Sequence, residues 1–180
     1  TKQYKASETQ HIPEMEQLIE WLPKNIPPGD KTTIVHGDYR LDNMVLHPTE
    51  PKVIAVLDWE LCTLGDPLAD FSYHLMNWVM PPGDSSRGSI MAIDDLAAWG
   101  IPSMDEYVDM YCKHTGRNGL PELDYYFAYN GFRLAGILQG IIGRVRDGTA
   151  NSANAESNAA RVVPLAQFAA EYARRAGMPG

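Results

Sequence analysis

The chain has 180 residues, 44% hydrophobic and 21% charged, enough to bury a core without disulfides or metals and suited to one domain over residues 1–180. A formal net charge of −8 argues against nucleic acid and anionic membrane as partners, because both attract basic surfaces. No apolar run approaches the roughly 18–20 residues of a membrane span, the first residues do not read as a signal peptide, and Cys62 and Cys112 have the look of reduced, cytoplasmic thiols with no CxxC spacing.

In chain order, Met15, Leu18, Ile19 and Leu22 have helical spacing within Pro13–Leu22, and Pro23, Pro27, Pro28 and Gly29 stop that helix. Thr32–Val35 predicts a short strand running into His36, and Met44–Leu46 a second, followed by a turn at His47–Lys52. Val53–Leu57 (VIAVL) is continuous, β-branched and short, which predicts a buried strand. Everything beyond it reads as helical. Asp66 caps and Pro67 opens a helix to Val79; Pro81–Ser89 is a loop; Ser103 and Glu106 form a capping box opening a helix to about His114. The longest helix is expected from about Pro121 to Asp147, with Phe127, Gly131, Leu134, Leu138, Ile141 and Val145 as its apolar stripe and Gly148 at its end. A polar connector at Asn151–Asn158 precedes a last helix to about Arg175, which Pro164 kinks or restarts. The layout is α+β and predominantly helical, with a few short strands.

The chemistry concentrates between Ile34 and Asp58. His36-Gly37-Asp38 is followed five residues after the aspartate by Asn43, and Leu57-Asp58-Trp59-Glu60 comes after a strand–turn–strand interval. Phosphoryl transfer needs a carboxylate beside the attacking hydroxyl and oxygen ligands for Mg²⁺ on the phosphates. Asp38 and Asn43 on one loop, with Asp58 at a neighbouring strand end, supply that set. Singly, each has a plainer reading as a turn or cap residue; spacing and order together point to a catalytic loop.

The Asp38-to-Asn43 spacing matches the catalytic loop of protein kinases, but Gly37 stands where those have Arg, and Trp59-Glu60 where they have Phe-Gly. HGD-x4-N, hydrophobic-D-W-E and GDPLAD instead resemble the aminoglycoside phosphotransferase and choline kinase group, which has a kinase-like fold. Residues 32–79 are especially similar to the phosphotransferase-type domain found fused to acyl-CoA dehydrogenases. The resemblance implies the carboxyl-terminal catalytic lobe of such an enzyme, with ATP and Mg²⁺ as cofactors. It implies Asp38 as the residue orienting or deprotonating the acceptor hydroxyl, and Asn43 and Asp58 as ligands of Mg²⁺ and its nucleotide. Arg40 is placed to neutralise charge on the transferred phosphoryl group, or else forms a surface salt bridge. His36 would hold the loop beside Asp58, while Asp66 and Asp70 cap and brace.

Trp59, Trp78 and Trp99 read as core, and His47, His74 and His114 as surface or satisfied core histidines. Tyr125, Tyr126, Tyr129 and Arg133 could line an acceptor pocket, although helix packing explains them as well, and Glu60 is a weaker acceptor-side candidate. No GxGxxG, no Walker-type Gly-Lys and no strand-rich stretch precede His36. The expectation is therefore a catalytic lobe without its ATP-gripping lobe, inactive alone and prone to self-association through uncovered apolar surface; Thr1 in place of Met fits a processed chain or fragment. Its partner would be a small-molecule hydroxyl compound, with a hydroxyacyl or other metabolic alcohol favoured over an aminoglycoside. The competing readings are a non-catalytic nucleotide- or ligand-binding module of the same fold, and a metal-dependent phosphohydrolase.

Overall fold

A computed structural model describes residues 1–29, 31–80, 95–149 and 155–180. The elements begin with α1 (Lys2–Ser7), α2 (Pro13–Trp21), β1 (Thr33–Val35), β2 (Met44–Leu46), β3 (Val53–Val56) and β4 (Thr63–Gly65). They continue with α3 (Leu68–Val79), α4 (Met104–Thr115), α5 (Leu123–Arg146) and α6 (Ala155–Arg175). The expected α+β, predominantly helical layout is what forms. Two compact units result, one of Thr1–Pro27 with Asp124–Gly180 and the other of Pro28–Leu123.

The first unit is all helix. Pro13 opens α2, and Glu14 and Glu16 sit in its first turn, where the helix dipole favours negative charge. Its apolar face buries Met15 and Leu18 completely, and α2 packs on α6. The face of α6 is small and apolar, with Ala166, Ala169, Ala170 and Ala173 inaccessible to solvent, and the helix runs through Pro164. It already begins at Ala155, inside the expected polar connector, whose residues 151–154 lie outside the described residues.

The stripe of α5 differs from expectation. Phe127 and Gly131 of the expected stripe are buried, but beyond them the buried positions are Ala135, Gln139, Gly140 and Gly143, while Leu134, Leu138, Ile141 and Val145 are only half-buried. Close backbone approach is the reason: a Cβ on Gly143 would lie 2.6 Å from the Cβ of Ser7. Fully buried Gln139 is satisfied there, its Nε2 donating to the Ser7 carbonyl at 2.5 Å and to Thr9 Oγ1 at 3.0 Å. A search for large apolar side chains misses a seam built from small ones.

In the second unit β1 pairs antiparallel with β4, Ile34 opposite Leu64, and β2 pairs antiparallel with β3, Val45 opposite Ala55. β4 falls in a stretch expected to be helical; its three residues carry no alternation long enough to read. β3 is a strand, yet an exposed one: Val53 and Ile54 are 46% and 51% accessible. Its β-branched run resembles a strand covered on both faces, but the hairpin has only two strands and its side chains meet solvent. Trp59 and Trp99 are likewise exposed, not core.

α3 and α4 supply the packed part of this unit. Asp66 Oδ1 accepts the Leu68 N–H at 2.8 Å, capping α3 with Pro67 at its start. The capping box of α4 forms as read: Ser103 Oγ accepts from the Glu106 N–H and Glu106 Oε2 from the Ser103 N–H at 2.8 Å. The two helices meet through stacked rings, Phe71 on Tyr111 with centroids 3.7 Å apart and Trp78 on Tyr107 at 5.1 Å. The loop expected at Pro81–Ser89 lies outside the described residues.

Candidate active site

β1 delivers the chain into His36-Gly37-Asp38, and Asp70 in the first turn of α3 receives it. One carboxylate oxygen of Asp70 accepts the His36 N–H at 2.5 Å and the other the Gly37 N–H at 2.9 Å, so Asp70 braces the loop, as anticipated. Gly37 has φ 83°, and a Cβ there would lie 2.6 Å from the Leu61 carbonyl oxygen. Only glycine suits both conditions, a local reason for Gly at this place in the motif.

His36 is 2% accessible. Its Nδ1 accepts the Asp38 N–H at 3.1 Å, which places the ring proton on Nε2, and Nε2 donates to the Leu57 carbonyl at 2.6 Å. A neutral imidazole thus ties the loop to the residue before Asp58. From the other side, the Leu57 N–H donates to the Asn43 carbonyl at 2.8 Å.

Asn43, itself buried, donates from Nδ2 to the Asp38 carbonyl at 2.8 Å and to Asp38 Oδ2 at 3.0 Å. The structure therefore brings Asp38 and Asn43 into side-chain contact and anchors the backbone before Asp58 to the backbone of Asn43. Asp58 adopts φ 61° and ψ 52°, the left-handed region, and is the one non-glycine with positive φ among the described residues. Such a conformation costs of order 1–3 kcal/mol and persists where surroundings enforce it. Here the enforcing contacts are the two Leu57 bonds, together with Trp59, whose Nε1 donates to the Val56 carbonyl at 2.8 Å and whose ring lies 4.7 Å from that of His36.

A hard divalent cation takes oxygen ligands. With both Nδ2 hydrogens turned to Asp38, Asn43 keeps Oδ1 outside those bonds, and the exposed Asp58 carboxylate makes no hydrogen bond or ion pair among the described residues. This donor set fits Mg²⁺.

Arg40 pairs through Nη2 with Asp42 in a surface salt bridge. Burial lowers its pKa, but Asp42, the Tyr73 hydroxyl and Asp38 outweigh this and hold the guanidinium above its ordinary value. Its Nε is buried with no hydrogen-bond partner among the described residues. Glu60 is exposed. Tyr125 and Tyr126 belong to the core of the first unit, and the Tyr125 hydroxyl donates to the Leu22 carbonyl at 3.0 Å; packing accounts for them.

Beside the loop lies a feature not anticipated from the sequence, a pocket of about 480 Å³ whose walls include Tyr39, Trp59, Phe71, Tyr107, Met110 and Tyr111. Tyr107, Met110, Tyr111 and His114 fall at i, i+3, i+4 and i+7 of α4, a stripe visible in the sequence once that helix is placed. Behind it His74 is buried, 5.8 Å from the Tyr39 ring and 5.6 Å from that of Tyr107, and burial pushes its pKa below the usual histidine value.

A helical lobe whose strands present this loop is the kinase-like arrangement, and the class it defines is phosphotransferase. Residues 1–107 match the model of the phosphotransferase enzyme family, and the chain belongs to that family. A solved structure described as a putative aminoglycoside phosphotransferase from Ralstonia eutropha JMP134 is 53% identical, with a TM-score of 0.86 over 97% of this chain and 53% of that one. Mouse acyl-CoA dehydrogenase family member 10 is 43% identical over 178 residues, covering 98% of this chain and 16% of the relative. Human acyl-CoA dehydrogenase family member 11 is 41% identical over 184 residues, 97% of this chain and 22% of the relative. The chain thus spans about half of the solved relative and a fifth or less to just over a fifth of these curated ones. Among the described residues no helix is long and apolar enough to cross a membrane.

Proposed function

We propose that this chain supplies the acceptor-activating and metal-binding part of an ATP- and Mg²⁺-dependent kinase that phosphorylates a hydroxyl on a small molecule in the cytoplasm. The observation that carries the reading is the Asn43 amide held on the Asp38 carboxylate at 3.0 Å, with Leu57 bonded to Asn43 one residue before Asp58.

In this reading the acceptor hydroxyl oxygen bonds to the γ-phosphorus of ATP as the bond to ADP breaks, and the hydroxyl proton passes to Asp38. Asn43 keeps Asp38 oriented and, with Asp58, holds Mg²⁺, which when bound neutralises charge on the phosphates. Arg40 adds positive charge beside the same carboxylate and serves the transferred phosphoryl group. The relatives bearing acyl-CoA dehydrogenase names favour a hydroxyacyl or other metabolic alcohol as acceptor over an aminoglycoside. The chain by itself turns over slowly, its exposed strands offering a surface for further protein or a second copy.

Transfer of labelled γ-phosphate to a panel of alcohols, hydroxyacyl thioesters and aminoglycosides, with a protein as long as the Ralstonia relative, tests the proposal. Asp38→Asn should lower turnover about 10²–10⁴-fold with the fold intact. Undiminished transfer by that variant would refute the mechanism, and release of free phosphate alone would mark a phosphohydrolase instead.

A further inference from the structure

The pocket beside the loop has a chemistry of its own. Its walls are mostly rings, with Ile34 and the Met110 thioether, and its one carboxylate and its buried histidine are already engaged, while His114 is exposed. Both carboxylate oxygens of Asp70 hold backbone N–H groups, and both nitrogens of His36 are bonded to Asp38 and Leu57. A polycationic acceptor would find no uncommitted carboxylate from these walls. A cation–π cage is poorly served too, because Phe71 stacks on Tyr111 and Tyr107 on Trp78, so the rings spend faces on each other. Most of the remaining lining is apolar and includes half-exposed Met110, an adaptable side chain.

His36 and Tyr39, which flank Gly37-Asp38 in the chain, both line this pocket, so it borders the loop that carries the proposed base. The geometry points to this pocket as the seat of the acceptor's uncharged alkyl body, with Tyr107, Met110 and Tyr111 of α4 setting specificity by chain length. This assignment rests on the phosphotransferase reading for its acceptor, but binding to the pocket needs neither nucleotide nor cation.

The probes are unbranched 1-alkanols from butanol to decanol, titrated calorimetrically against this chain, with kanamycin as the polycation control. Affinity should rise about fourfold per methylene until the pocket fills, and kanamycin should bind more weakly than octanol. Met110 is half exposed, so Met110→Lys should leave the thermal midpoint unchanged while weakening octanol at least about tenfold by placing a charge at the wall. Affinity independent of chain length, octanol binding unchanged in Met110→Lys, or kanamycin binding tighter than octanol would each overturn the assignment. Failure of the alkanols beside intact, Asp38-dependent phosphoryl transfer would remove the pocket alone; alkanol binding without phosphoryl transfer would remove the kinase reading alone.

Discussion

The amide nitrogen of Asn43 reaches Asp38 twice, 2.8 Å from its carbonyl and 3.0 Å from its carboxylate. One side chain thereby sets the curvature of the loop and the orientation of its acid. Removing it loses two hydrogen bonds and strands a carbonyl, each bond being worth about 0.5–1.5 kcal/mol net. Asn43→Ala should lower unfolding free energy by about 1–3 kcal/mol in urea titrations; a loss below about 0.5 kcal/mol would mean that the loop holds its shape without it.

The brace from α3 makes a separate prediction. Asp70→Ala removes the acceptor of the His36 and Gly37 N–H groups, at about 1–3 kcal/mol for the buried His36 group. Gly37→Ala should also destabilise, since it adds a Cβ 2.6 Å from the Leu61 oxygen at φ 83°. Both variants should show lower urea midpoints, and hydrogen exchange should speed selectively around residues 35–43. Uniform acceleration across the chain would show that the brace is not local.

His74 gives a pH dependence. Burial lowers its pKa in the folded state, so between that value and the unfolded value of about 6.5 the unfolded chain binds the extra proton. Stability from this group is complete above about pH 6.5 and falls as pH drops through the folded value. Urea midpoints from pH 7.5 to 5.0 should decline less steeply in His74→Gln than in the unaltered chain. Parallel declines would assign the acid sensitivity elsewhere.

Much of the loop from His36 to Asn43 was legible because its chemistry is local. The Asp38-to-Asn43 interval is a single loop, the strands at Met44–Leu46 and Val53–Val56 are where composition places them, and Asp66, Ser103 and Glu106 cap as their side chains dictate. What escaped depends on what lies across a contact. β3 has the composition of a covered strand, and only the two-stranded ladder reveals it as exposed. The small-residue seam of α5 depends on Ser7, more than a hundred residues away in the chain. Likewise, the pocket needs α4 to lie against the loop residue Tyr39 and the α3 residue Phe71, a tertiary fact that no short window holds.

Binding of Mn²⁺, a paramagnetic substitute for Mg²⁺, measured by electron paramagnetic resonance in the presence of ATP, tests most directly whether positions 38, 43 and 58 form one site. Asp58→Asn and Asn43→Ala should each weaken Mn²⁺ by at least about tenfold, the scale of losing or misorienting a ligand. Affinity equal to that of the unaltered chain in both variants would contradict the account.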